Sequence, residues 1–135
     1  MTREEFITSY KDFAKTALNI AAKARRTGLL DLEKDVDQEE VRKRHIFYYG
    51  LRFVVDGVNQ SIIDKILSNI IEQESDDYSR RLKTIQKEAV LSIQDGFNPQ
   101  ILRHILNSYT DLPLNDDEQD ELLYEHEEGK YDGEV

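Results

Sequence analysis

The chain has 135 residues, no cysteine, no tryptophan, 34% charged side chains and a formal charge of −10, a length that suits one small domain. Without cysteine there is neither a disulfide framework nor a thiolate metal site. No run of uncharged residues exceeds seven, far short of the ~18 apolar residues that span a bilayer, so no transmembrane helix and no membrane insertion are expected. The start, Met1-Thr2-Arg3-Glu4-Glu5, lacks the basic-then-apolar order of a secretory leader, and a cytoplasmic location is expected.

The charge is unevenly placed. Residues 1–110 carry 17 acidic and 17 basic side chains, whereas residues 111–135 carry 11 acidic side chains and Lys130 alone. In chain order, Phe6, Tyr10, Phe13, Ala17, Ala21 and Ala24 recur at spacings of three and four, one face of a helix from about Thr2 to Arg26. Thr2 with Glu5 makes a capping box. Gly28 ends the helix, and Arg25 and Arg26 sit in its last turn, where the helix dipole favours cations.

A short cluster, Leu29, Leu30 and Leu32, and then the charged stretch Glu33 to Glu40 read as a helical turn plus an exposed connector. The next helix carries Val41, Tyr48, Leu51 and Val55 with Ile46, Phe47 and Val54 beside them, an apolar set broad enough to be buried on most sides. Gly50 is placed to permit close helix approach, and Asp56-Gly57 closes the segment. Asn59 caps a third helix whose stripe is Ile62, Ile63, Ile66, Leu67, Ile70 and Ile71. The polar stretch Glu72 to Arg81 leaves two readings open: one helix crosses it, or a turn at Glu74 to Ser79 makes a hairpin. Leu82, Ile85, Ala89, Val90 and Ile93 resume the helical period until Gly96. Asn98-Pro99 restarts a final helix, Pro99 to Tyr109, with Ile101, Leu102, Ile105 and Tyr109 as its buried face. No alternating pattern suggests a strand. The expected architecture is all-α: a compact domain of four to five helices over residues 1–113. Beyond it, residues 114–135 hold too few apolar side chains to offset the entropy of ordering and should form a disordered acidic tail.

Chemistry-bearing patterns are scarce. Asp116, Glu118, Asp120 and Glu127 fall on positions one, three, five and twelve of a calcium-loop count, but the sixth position is Glu121 where the turn needs glycine. His45, His104 and His126 are scattered and form no zinc motif. There is no phosphate-cradling glycine loop and no nucleophile in a recognisable context. The expectation is a protein without enzymatic activity, cofactor or metal. Arg42, Lys43 and Arg44 beside Tyr48 and Tyr49 could touch nucleic acid, but a charge-neutral body with an acidic tail argues for a solvated helical face instead.

Two stretches resemble the cytoplasmic parts of the MotA family, the ion-channel subunits of bacterial flagellar stators. The first is Ala21-Ala22-Lys23-Ala24-Arg25-Arg26-Thr27-Gly28-Leu29-Leu30-Asp31-Leu32-Glu33, similar to A-x-x-A-R-x-x-G-[LM]-[LF]-x-L-E. It is followed by Gly50-Leu51-Arg52-Phe53-Val54-Val55-Asp56-Gly57, a form of G-L-x-x-[VI]-V-D-G. The second is Glu88-Ala89-Val90-Leu91-Ser92-Ile93-Gln94-Asp95-Gly96-Phe97-Asn98-Pro99, similar to E-x-[VI]-L-x-I-Q-x-G-x-N-P. The likeness covers about residues 10–113. The family's membrane helices, which lie before the first stretch and between the two, have no counterpart, so ion conduction is not implied. In that family the cytoplasmic part engages the rotor protein FliG through one basic and one acidic residue around the Gly-Leu-Leu turn. By motif position these correspond to Arg25 and Glu33, with Arg26 beside them.

The resemblance therefore implies a flagellar-motor-associated protein that docks electrostatically on a FliG-like rotor protein or on a stator subunit, at the cytoplasmic face of the motor. The alternative is a helical adaptor whose acidic tail masks a basic surface, on a partner or on Arg42 to Arg44. If the polar stretch around Glu74 to Arg81 stays helical, exchange of an extended helix between two chains would make a homodimer.

Overall fold

A computed structural model of the chain describes residues 1–36 and 45–111. All regular structure among the described residues is helical: α1 (Arg3–Thr27), a 3-10 turn (Leu29–Leu32), α2 (Glu33–Val36), α3 (Ile46–Val55), α4 (Gln60–Glu72), α5 (Asp77–Asp95) and α6 (Pro99–Asn107). None of these helices is long and apolar enough to cross a membrane. Val41 of the next apolar set, the Arg42 to Arg44 cluster, the 113/114 boundary, the acidic tail and His126 lie outside the described residues.

The helix ends follow local chemistry. Thr2 Oγ1 accepts from the Glu5 backbone N–H at 3.1 Å while the Glu5 carboxylate accepts from the Thr2 N–H at 3.2 Å, a reciprocal cap that satisfies two otherwise orphaned donors. The Glu5 carboxyl is held below its ordinary range by the Thr2 backbone N–H. Asn59 accepts from the Ser61 N–H, Asp76 from the Ser79 N–H and Asn98 from the Ile101 N–H, each starting its helix, with Pro99 at the first turn of α6.

The polar stretch is a turn. α4 stops at Glu72 and α5 starts at Asp77. The Glu74 carbonyl between them accepts from the Arg80 guanidinium, and its carboxylate pairs with Lys83 at 3.0 Å. The hairpin reading therefore holds, and the continuous helix that an exchanged dimer would need is not formed.

α5 is the central helix and packs against α1, α3, α4 and α6. Its buried side, Ile85, Ala89, Val90, Ser92 and Ile93, meets fully buried Leu51 and Leu67 in one core with Phe6, Tyr10, Leu18, Phe47, Ile63, Leu102 and Leu106. Gly50 makes this closeness possible: a Cβ there would lie 2.9 Å from Leu67 Cδ1 and 2.9 Å from Val90 Cγ2. Across the hairpin, Lys87 Nζ reaches Asp64 at 2.8 Å, and the Lys87 hydrogen bond holds the Asp64 carboxyl below its ordinary range.

Two apolar faces are oriented differently from the expected stripes. In α4 the buried residues are Ile63, Leu67 and Ile71 alone, while Ile62 is 51% exposed. In α6 the core takes Leu102 and Leu106, while Ile101 is 47% exposed and Ile105 and Tyr109 are only half-buried. Both helices pack on one side, so only the residues four apart along that side leave solvent.

The long-range contacts define two ends. Tyr10 donates to Asn107 Oδ1 at 2.5 Å, and the Phe6 ring stacks on Tyr78 at 5.2 Å, which sets the start of α1 beside the start of α5 and the end of α6. Burial pushes the Tyr10 hydroxyl pKa well above the usual tyrosine value. At the other end, Gln60 Nε2 donates to the Leu91 carbonyl and Gln94 Nε2 to the Val58 carbonyl, and the end of α1 meets the end of α5.

Candidate functional site

The last turn of α1, the 3-10 turn and α2 make a corner whose inner side is buried in the core and whose outer side is exposed. Gly28 turns the chain at φ 94, ψ 160, and its N–H donates to the Ala24 carbonyl at 2.8 Å. That conformation is accessible essentially to glycine alone. Beyond it, Leu32 and Val36 are fully buried and Leu29 packs against the core. Lys23 Nζ in α1 pairs with Asp35 Oδ2 in α2 at 2.9 Å, each side chain about one-third exposed. A partly exposed pair contributes at most ~1 kcal/mol, so buried Leu32 and Val36, at ~1.5–3 kcal/mol each, dominate in holding α2 under α1.

The outward side of the corner carries Arg25, Arg26, Leu30, Asp31, Glu33 and Lys34, all exposed. Leu30 is 74% exposed, the most exposed large apolar side chain among the described residues. Glu33 begins α2, and its backbone N–H donates to the Leu30 carbonyl, so the carboxylate is carried directly on the turn that presents Leu30. The structure thus places Arg25 and Arg26 on one side of the Gly28 turn and Glu33 on the other.

Arg25 also does something that its motif position does not suggest. Its Nη1 donates to the Gly96 carbonyl at 2.7 Å, tying the end of α1 to the loop between α5 and α6. Gly96 caps α5 in the left-handed conformation, φ 77, ψ 23, and the Phe97 N–H returns to the Ser92 carbonyl at 3.2 Å, an arrangement that closes helix ends. Phe97, 39% exposed, and Ile101 follow directly. The stretches 21–33 and 88–99 therefore meet at one end of the bundle.

Sequence reasoning missed Lys23 and Asp35, which position the corner, and Gly96, which holds Arg25. The 12-residue spacing of Lys23 and Asp35 across a helix stop gave no periodic signal. Gly96 stood at a helix end, but a carbonyl acceptor leaves no mark in a side-chain pattern. His45 precedes α3 and is exposed, and His104 is exposed on α6. No three His, Asp or Glu side chains gather as a metal-ion cluster among the described residues.

Comparison of the chain with protein-family models, with curated proteins and with solved structures returned no match.

Proposed function

We propose that this chain is a non-enzymatic docking module of the flagellar motor, similar to the rotor-facing part of MotA stator subunits. It engages a FliG-like rotor protein, or a stator subunit, through Arg25, Arg26 and Glu33. The supporting observation is the Arg25–Gly96 bond at 2.7 Å: two stretches that resemble the same family region, 71 positions apart at these residues, share one surface.

The corner suits a weak and oriented contact. Exposed charges of both signs steer encounter and select register more than they add affinity, each pair contributing ~0–1 kcal/mol. Leu30 supplies an apolar contact between them, and its burial in a partner pocket would add at most ~1.5–3 kcal/mol. Arg25 spends one donor on Gly96 and keeps its charge on the surface, so it both shapes the corner and takes part in it.

A purified FliG-like protein immobilised for binding measurements tests the reading. Glu33→Lys should weaken binding and make it less dependent on salt, and Arg26→Glu should do the same without loss of helicity. Arg25→Glu should weaken it further, because the Gly96 bond goes with the charge. Wild-type chain that does not bind, or binds no better than Glu33→Lys, refutes the proposal.

A further inference from the structure

At the far end of α1, about 33 Å from the corner at 1.5 Å per helical residue, a cleft of about 460 Å³ opens between the starts of α1 and α5 and the chain leaving α6. Arg3, Phe6, Tyr78, Arg81, Tyr109 and Asp111 are among its lining. The Arg81 guanidinium lies 5.7 Å from the centre of the Phe6 ring and 5.8 Å from that of Tyr78. A cation this near two aromatic rings is attracted by their quadrupoles, and its N–H groups suit a carboxylate. Among the described residues Arg81 makes no ion pair within 4 Å, although its charge adds to the Arg3 hydrogen bond in lowering the Asp111 carboxyl pKa. Arg3 Nη2 does make one, at 3.1 Å, and its partner is Asp111 Oδ2.

Asp111 is the first of the 11 acidic residues that end the sequence, and it lines the cleft itself. The remaining 24 residues, 112–135, carry ten carboxylates and only Lys130 as counter-charge. From Asp111 to Asp116 is five residues, at most ~17 Å when extended, which reaches across an opening of this size. A segment tethered at the rim of its own site has an effective concentration of about millimolar, so a contact too weak to hold a separate peptide is populated in the intact chain.

We infer that this cleft is a docking site for an acidic segment, and that its occupant is the chain's own residues 112–135, whose carboxylates around Asp116, Asp117 and Glu118 bind the Arg81 guanidinium beside the Arg3–Asp111 pair. Charge complementarity and the point where the segment leaves the fold favour this occupant over a partner's acidic peptide. The inference is independent of the docking corner.

The absence of cysteine allows a clean test on the full chain. Gln119→Cys carrying a nitroxide label should broaden the NMR signals of Phe6, Tyr78 and Arg81 more than the tether alone does. The tether baseline comes from the same label in Arg81→Glu, in the triple variant Asp116→Asn, Asp117→Asn, Glu118→Gln, and in 1 M salt, where the Debye length falls to about 3 Å. Loss of the excess broadening under all three conditions, with unchanged signals elsewhere, is the expected result. The triple variant leaves the folded body untouched, so its outcome does not depend on Arg81→Glu folding. Equal broadening in the wild type and the triple variant overturns the inference. So does excess broadening at Leu30 and Phe97 instead, or broadening that appears only when labelled and isotope-enriched chains are mixed, which would make a second copy the occupant.

Discussion

Replacing Gly50 by alanine probes the close approach of α3 to α4 and α5. The new Cβ would meet Leu67 Cδ1 at 2.9 Å and the two Val90 methyl carbons at 2.9 and 3.0 Å, against the ~3.5–4.0 Å at which carbon atoms attract. Each neighbour must therefore retreat by about 0.6 Å, and both are completely buried, so neither can relax toward solvent. Overpacking of this kind costs ~1–3 kcal/mol. Alanine in place of glycine inside a helix returns up to ~1 kcal/mol. The net is a loss of about 1 kcal/mol, equivalent to ~4–8 °C in Tm for a domain of this size. Urea unfolding followed by far-UV circular dichroism, in wild type and in a Val90→Ala background, measures it. Val90→Ala removes two of the three clashing atoms, so there the alanine should be neutral or stabilising. Gly50→Ala as stable as wild type, or equally costly in both backgrounds, would refute the packing argument.

Gly28→Ala should also destabilise, by ~1–3 kcal/mol, but through backbone strain at φ 94, because a Cβ there meets nothing within 4 Å; a thermal melt equal to wild type contradicts it. Acid should unfold the domain through depressed carboxyl groups. The Lys87 hydrogen bond holds Asp64 low, the Lys83 hydrogen bond holds Glu74 low, and the Ser79 backbone N–H holds Asp76 low. Because the folded-state values lie below the unfolded ones, their stabilisation is complete above the ordinary carboxyl range and is lost as pH falls through the depressed values. Urea midpoints measured from neutral pH downward should fall below pH ~4, and Lys87→Met should flatten that fall; an unchanged slope would show that Asp64 contributes nothing. Leu30→Gln should leave stability within about 0.5 kcal/mol of wild type while weakening rotor-protein binding; a large drop in Tm would mean that Leu30 packs against the body.

The helix ends were legible in the sequence because each depends on one side chain and its own backbone: Thr2 with Glu5, Asn59, Asn98 with Pro99, and the glycines at 28 and 96. The helix faces were less so. Ile62 and Ile63, or Ile101 and Leu102, are equally apolar neighbours 100° apart around a helix, and which one is buried depends on a partner helix that no local window contains. α6 settles on Leu102 and Leu106 because its other side has nothing above it among the described residues. The hairpin turn lay between these cases, since Glu74, Arg80 and Lys83 are polar in either reading and only their mutual bonds close it. The corner was read from motif position as Arg25, Arg26 and Glu33. Its supports, Lys23 with Asp35 and Arg25 with Gly96, join residues across helix ends, where periodicity carries no information.

The three leucines of the corner show how far geometry accounts for it. In a 3-10 turn residues three apart eclipse, so burying Leu32 brings Leu29 onto the same inner side and sends Leu30 about 120° away, toward solvent. The fold therefore dictates that position 30 is exposed. It does not dictate that the residue is apolar, and any polar side chain would serve the turn as well. Isolated exposed leucines are common on protein surfaces, so exposure alone would carry little. Here the leucine projects from a turn braced on both sides, by Lys23–Asp35 and by Arg25–Gly96, with charges of both signs around it. Bracing reduces the conformational freedom that docking would otherwise have to remove, and the charges restrict the orientations a partner can take. An apolar contact point combined with a fixed backbone and a mixed charge pattern is what a transient, orientation-dependent protein contact requires.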